Sequence, residues 1–89
     1  MGRSLELARV FEEMARAEYY VLRDGARWKI HHEGKDYHYP SREAALKAAI
    51  YTAYGSGRLG WEAEVLVHGP DGAWQRHWAY GRDPYPPKD

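Results

Sequence analysis

The residues with the most chemistry to offer are the histidines at 31, 32, 38, 68 and 77. His31 and His32 are neighbours, so on a strand they point to opposite faces and cannot share a metal. His31 and His38 fall opposite each other if residues 28–32 and the run ending at Tyr39 form a hairpin closed at Gly34-Lys35. Two imidazoles on one face could hold Zn, Cu or Ni once a third ligand is supplied. No carboxylate occupies a matching position, because Glu33 and Asp36 fall in the turn region. The pair therefore reads as two solvated histidines on an open sheet face, with no metal expected. His68 and His77 give a weaker signal still.

Nor do the other reactive groups assemble. Glu62 and Glu64 alternate on one strand face, where glutamates are usually solvated. The serines are Ser4, Ser41 and Ser56, and none sits in a nucleophile elbow. Gly55-Ser56-Gly57-Arg58-Leu59-Gly60 resembles a glycine-rich phosphate loop, but it follows a helix, so no helix N-terminus faces a bound anion. It reads as a C-cap followed by a flexible connector. No catalytic residue and no cofactor is expected, and the chain is read as a non-enzyme.

The charge balance limits the partners. Lys+Arg and Asp+Glu both number 13 among 89 residues, giving zero formal net charge. A strongly electrostatic nucleic-acid binder usually carries a basic excess. A local patch is still available: Arg27, Lys29, His31 and His38 share a face with Tyr20, and a sheet of this kind can enter a groove or stack on bases. Asp24, Glu33 and Asp36 dilute it. There is no cysteine, which removes disulfides and thiolate chemistry. No apolar run approaches a membrane span, and the first residues lack the apolar core of a signal peptide, so a soluble cytoplasmic protein is the default.

The elements that position these residues can be read in order. Residues 4–18 have helical periodicity, with Leu7, Val10, Phe11 and Met14 on one face and Glu12 and Arg16 at i, i+4 spacing. Residues 19–23 are a short β-type run ended by Asp24-Gly25, a tight-turn signal. With Asp24-Gly25 as the loop, Val21 faces Trp28 and Tyr19 faces Ile30. With the next turn at Gly34-Lys35, Ile30 faces Tyr39 and His32 faces Tyr37. Tyr19, Val21, Trp28, Ile30 and Tyr39 then form the core face of a three-stranded meander. Tyr20, Leu22, Arg27, Lys29, His31 and His38 lie on the other.

Residues 40–55 are the clearest helix. Ser41 is a good N-cap and Glu43 suits the first turn. Leu46, Ala49, Ile50 and Ala53 make one buried face, Tyr51 and Tyr54 sit at its edge, and Gly55 closes it. Residues 61–68 form a fourth strand, Gly69-Pro70-Asp71-Gly72 a turn, and residues 73–80 a fifth strand with Trp74, Trp78 and Tyr80 at alternate positions. The register there is open by one residue, since a bulged turn and a plain loop pair differently. Residues 82–89 carry three prolines and read as an extended tail that Tyr85 can lay on the domain.

Val65-Leu66-Val67-His68-Gly69-Pro70-Asp71-Gly72 and the tail Tyr80-Gly81-Arg82-Asp83-Pro84-Tyr85-Pro86-Pro87-Lys88 resemble the bacterial domain-of-unknown-function 2188 family. Trp28-Lys29-Ile30 and Ser41-Arg42-Glu43-Ala44-Ala45 are similar to its pattern too. The likeness covers residues 19–89. It implies a small bacterial protein and brings no activity, substrate or catalytic residue.

The expected architecture is α+β: an N-terminal helix followed by βββαββ, with an antiparallel sheet packed on a central helix. Residues 1–18 form the amphipathic helix, 19–81 the single domain, and 82–89 the tail. One helix covers one face of a five-stranded sheet, so the other face needs the N-terminal helix, a second subunit or water. Four Trp, eight Tyr and one Phe add association surface. The expected function is a protein-interaction module that self-associates as a homodimer, with Leu7, Val10, Phe11 and Met14 at the contact. Nucleic-acid binding through Arg27, Lys29, His31 and His38 is the alternative.

Overall fold

The structure is a computed structural model that describes residues 16–88. Leu7, Val10, Phe11 and Met14 lie outside the described residues. The chain runs β1 (Arg16–Asp24), β2 (Arg27–His32), β3 (Lys35–Tyr39), α1 (Arg42–Arg58), β4 (Glu62–His68) and β5 (Trp74–Ala79). The α+β class and the βββαββ order are as expected. The strands form one sheet in the order β3-β2-β1-β4-β5, with α1 packed on one face.

The sheet is mixed, whereas an antiparallel one was expected. β4 pairs with β1 in parallel, and every other neighbour is antiparallel. Direction follows from the count of reversals. Three meander strands leave β3 running the same way as β1. The helix, about 25 Å long at 1.5 Å per residue, carries the chain back. The next strand must therefore run parallel to β1, and it takes the edge that β2 left free.

β1 begins earlier than the sequence reading placed it. Arg16, Ala17 and Glu18, assigned there to the end of a helix, pair with Glu62, Ala63 and Glu64, and Ala17 is buried. Both hairpin registers are displaced by two residues. Val21 faces Ile30, and Ile30 faces Tyr37. The loops are Gly25-Ala26 and Glu33-Gly34, because positive φ decides their position. Gly25 takes φ 62 as the first central residue, while Glu33 (φ 50) and Gly34 (φ 75) are both left-handed, as a type I′ loop requires. A slip of two preserves side-chain alternation. Tyr19, Val21 and Ile30 are buried under α1 as expected, and Trp28 and Tyr39 pack at the margin.

The helix is capped as its sequence suggests, with the Ala44 amide donating to Ser41 Oγ at 3.1 Å. Ala45, Leu46, Ala49, Ile50 and Ala53 are buried. Tyr54 packs on the core while Tyr51 is exposed. The helix does not stop at Gly55. It continues to Arg58 and ends in a Schellman motif: the Gly60 amide donates to Gly57 O at 3.0 Å, the Trp61 amide to Ser56 O at 3.1 Å, and Gly60 adopts φ 100. The expected loop 55–60 is thus mostly helical. Gly57 is needed there because a Cβ at that position would strike the Tyr80 ring.

Tyr19 ties this last turn to the sheet. Its hydroxyl and Ser56 Oγ are 2.7 Å apart, and its ring stacks on His32 at 4.0 Å. A buried phenol needs such a partner. In β5 a bulge opposite Val65/Leu66 separates the tryptophans. Trp78 enters the core, whereas Trp74 pairs with His68 on the opposite face, so the expected one-sided aromatic stripe does not form. The tail folds onto the domain. Trp78 Nε1 donates to Pro84 O at 3.0 Å, and Tyr85 stacks on Tyr54 at 3.9 Å.

The two helix glycines make opposite predictions. Gly55 has open space around its Cα, so Gly55→Ala is expected to raise stability by about 0.5–1 kcal/mol through helix propensity. Gly57→Ala is expected to lower it by about 1–3 kcal/mol through the clash with Tyr80. Chemical denaturation of the two variants checks both signs.

Candidate functional site

With α1 on one side, the opposite face of the sheet is open among the described residues. Alternation places Tyr20, Leu22, Lys29, His31, Asp36, Leu66 and Trp74 there, and the pairings set their neighbours. Tyr20 sits between His31 and Leu66, and Leu22 is opposite Lys29. Tyr20 and Trp74 meet edge to face at 5.1 Å, and His68 lies 4.9 Å from the Trp74 ring. A groove of about 420 Å³ runs between Tyr20, Leu22 and Trp74, with Lys29, His31 and Asp36 along the β2 side. Trp74 is 44% exposed, a large apolar side chain left in water. Neither Leu66 nor Trp74 was named as a site residue in the sequence reading. The alternation of β4 was a signal for Leu66, but the bulge concealed which face Trp74 takes.

The expected facing of His31 and His38 does not occur. The two-residue slip sets His31 opposite Asp36 and His38 opposite Lys29. His31 Nδ1 donates to Asp36 Oδ1 at 2.6 Å, Lys29 Nζ donates to Asp36 Oδ2 at 3.2 Å, and His38 Nε2 donates to Asp24 Oδ2 at 3.0 Å. Each of these cationic or protonatable groups thus has a carboxylate. Of the four candidate nucleic-acid residues, only Arg27 has no carboxylate partner among the described residues. No group of three His, Asp or Glu residues is placed to hold a metal among the described residues.

A second concavity, of about 320 Å³, lies where β1 begins. Its charges compensate each other: Arg76 and Glu64 meet at 2.9 Å, Arg16 and Glu62 at 3.5 Å. Glu18, Arg82, Ala63, Ala79 and Tyr80 complete the lining. Ser41 and Ser56 hydroxyls are held in the cap and the Tyr19 contact described above.

Two groups on the open face depart from their ordinary acidity. Partial burial, then the charge of Glu18, raises the Tyr20 phenol, so it stays protonated at neutral pH. Hydrogen bonds from His31 and then Lys29 hold the Asp36 carboxyl below its ordinary 3.8.

The fold and this face define a small α+β domain with a one-sided mixed sheet and a mixed apolar and ion-paired surface. No helix among the described residues is long and apolar enough to cross a membrane. No family model, curated protein or solved structure matches the chain.

Asp36 gives a direct check of this register. In a carboxyl-carbon NMR titration it is expected to have its midpoint below 3.8, moving back toward that value in His31→Gln. Because the folded pKa is depressed, the stabilising effect is complete above the ordinary pKa. It disappears as pH falls through the depressed one. An unshifted Asp36 would mean that the hairpin pairs differently.

Proposed function

We propose that the chain is a non-catalytic protein-interaction module that self-associates through the open sheet face. The observation that carries this reading is the apolar run Tyr20, Leu22, Leu66 and Trp74 on a face that no described element covers. A large aromatic in water beside half-buried aliphatic groups, rimmed by paired charges, has the composition of an interface: an apolar centre with a polar margin. The likeness of residues 19–89 to the bacterial domain-of-unknown-function 2188 family belongs to the same reading and adds no chemistry to it.

Nucleic-acid binding, through Arg27, Lys29, His31 and His38, is less well supported by the geometry. Phosphate binding needs cations free to replace counterions. Lys29 and His31 share Asp36, and His38 holds Asp24. Binding a phosphate there would strand a carboxylate next to it.

Light scattering coupled to size exclusion tests the proposal. The expected result is a dimer at low and at physiological salt, since apolar contact is little screened. Leu22→Asp should yield a monomer with an unchanged far-UV spectrum. The nucleic-acid reading would be favoured instead by a monomer that retains duplex DNA or RNA, loses it steeply with salt, and binds more weakly as Lys29→Glu.

A further inference from the structure

We infer that the groove between Tyr20, Leu22 and Trp74 is filled by residues 4–14 of a second copy of the chain, each copy docking its N-terminal segment on the other. This rests on the interaction reading above and names the occupant. The stripe Leu7, Val10, Phe11 and Met14 has helical spacing and needs an apolar surface. The open face supplies one, since α1 already covers the opposite side.

Where the segment joins the sheet decides which copy it reaches. It joins at Arg16, the start of the central strand, which pairs there with Glu62 of β4, while the pairing with β2 begins further on, at Tyr20. From Arg16, Tyr20 is four residues along β1 and Leu22 six, about 13 and 20 Å at roughly 3.3 Å per residue. Only Ala15 separates Met14 from Arg16. Turning back onto the same chain's open face requires a loop of about two residues or more. The helix would then advance only about 1.5 Å per residue from that end, leaving Leu7 about 10 Å in and Phe11 less than half as far. In the same chain most of the stripe would lie over Arg16, Glu18, Glu62 and Glu64, which are charged; Leu7 alone would approach Tyr20, and Leu22 would stay uncovered. A segment arriving from a two-fold-related copy has no such limit.

The β5 side of the groove, at the Trp74 ring, suits the small border of the stripe, since on a helical projection Ser4 and Ala8 flank it. The β2 side sets no preference by charge, because Lys29 and His31 are paired with Asp36 there. An exchange of this kind is isologous and closes as a dimer, leaving neither groove open.

Complementation between two full-length variants tests the exchange. Phe11→Asp spoils the segment and leaves the face intact; Leu22→Asp spoils the face and leaves the segment intact. Wild type is expected to run at twice the chain mass and each variant alone as a monomer. An equimolar mixture should recover a dimer, weaker than wild type, because one intact segment then meets one intact face. Circular dichroism verifies folding, and Trp74→Ser replaces Leu22→Asp should that variant unfold. Three results overturn the inference. A dimer that survives Leu22→Asp means helix-on-helix contact. A dimer that survives Phe11→Asp means sheet-on-sheet contact and leaves the interaction reading standing. A wild-type monomer means docking within one chain or none, and removes self-association as well.

Discussion

The parallel pairing of β1 with β4 beneath α1 is the constraint on which the rest of the domain depends. It joins the three-stranded meander to the β4–β5 hairpin, two units that share no other sheet edge. Val21 and Val65 are fully buried where these units meet the helix. Ala45, Ala49 and Ala53, all at zero exposure, let α1 approach closely enough to cover both halves. Larger residues there would lift the helix and weaken contact with both valines. The Tyr19–Ser56 contact and the Gly57–Tyr80 approach fix where the far end of the helix lies. Placing β1 at the centre also puts Arg16 beside Glu62 of β4, short of the point where β2 pairing begins at Tyr20.

That arrangement separates the two faces chemically. The helix side is a continuous apolar core, and among the described residues no buried side-chain polar atom lacks a partner. The open side is divided along the strands. Where β1 begins, arginines and glutamates neutralise each other; further along, Tyr20, Leu22 and Trp74 form an apolar depression. Exposed ion pairs of the first kind contribute at most about 1 kcal/mol each and are satisfied by water as readily as by a partner. An exposed indole is different, because covering it releases water from a large apolar area. The apolar end is therefore where association lowers the free energy most.

Much of this was legible in the sequence, and the errors have a common cause. Face assignment in the meander survived because each hairpin slipped by two, and alternation is blind to even slips. Register did not survive, since it depends on which residues accept positive φ: Asp24-Gly25 and Gly34-Lys35 are plausible two-residue loops by composition, but the chain turns at Gly25-Ala26 and Glu33-Gly34. Glu33 in a left-handed conformation is the kind of choice that composition does not reveal. Gly55 looked like a helix stop by local rules, but the termination is set at Gly60, and Gly57 is accounted for only by a ring 23 residues away. The bulge in β5 likewise depends on pairing with β4, so alternation within β5 could not show that Trp74 and Trp78 part company.

The slip of two had a larger effect on chemistry than on fold. A His31–His38 pair would have made an electron-rich site open to a metal. The observed pairing gives each histidine a carboxylate, and Asp36 takes Lys29 as well. A carboxylate held by two donors is ionised over a wider pH range, so it keeps the lysine beside it occupied. The ionic rim of the groove is thus internally compensated and offers little attraction to a polyanion. Within the groove, what remains uncompensated is the apolar surface of Tyr20, Leu22 and Trp74.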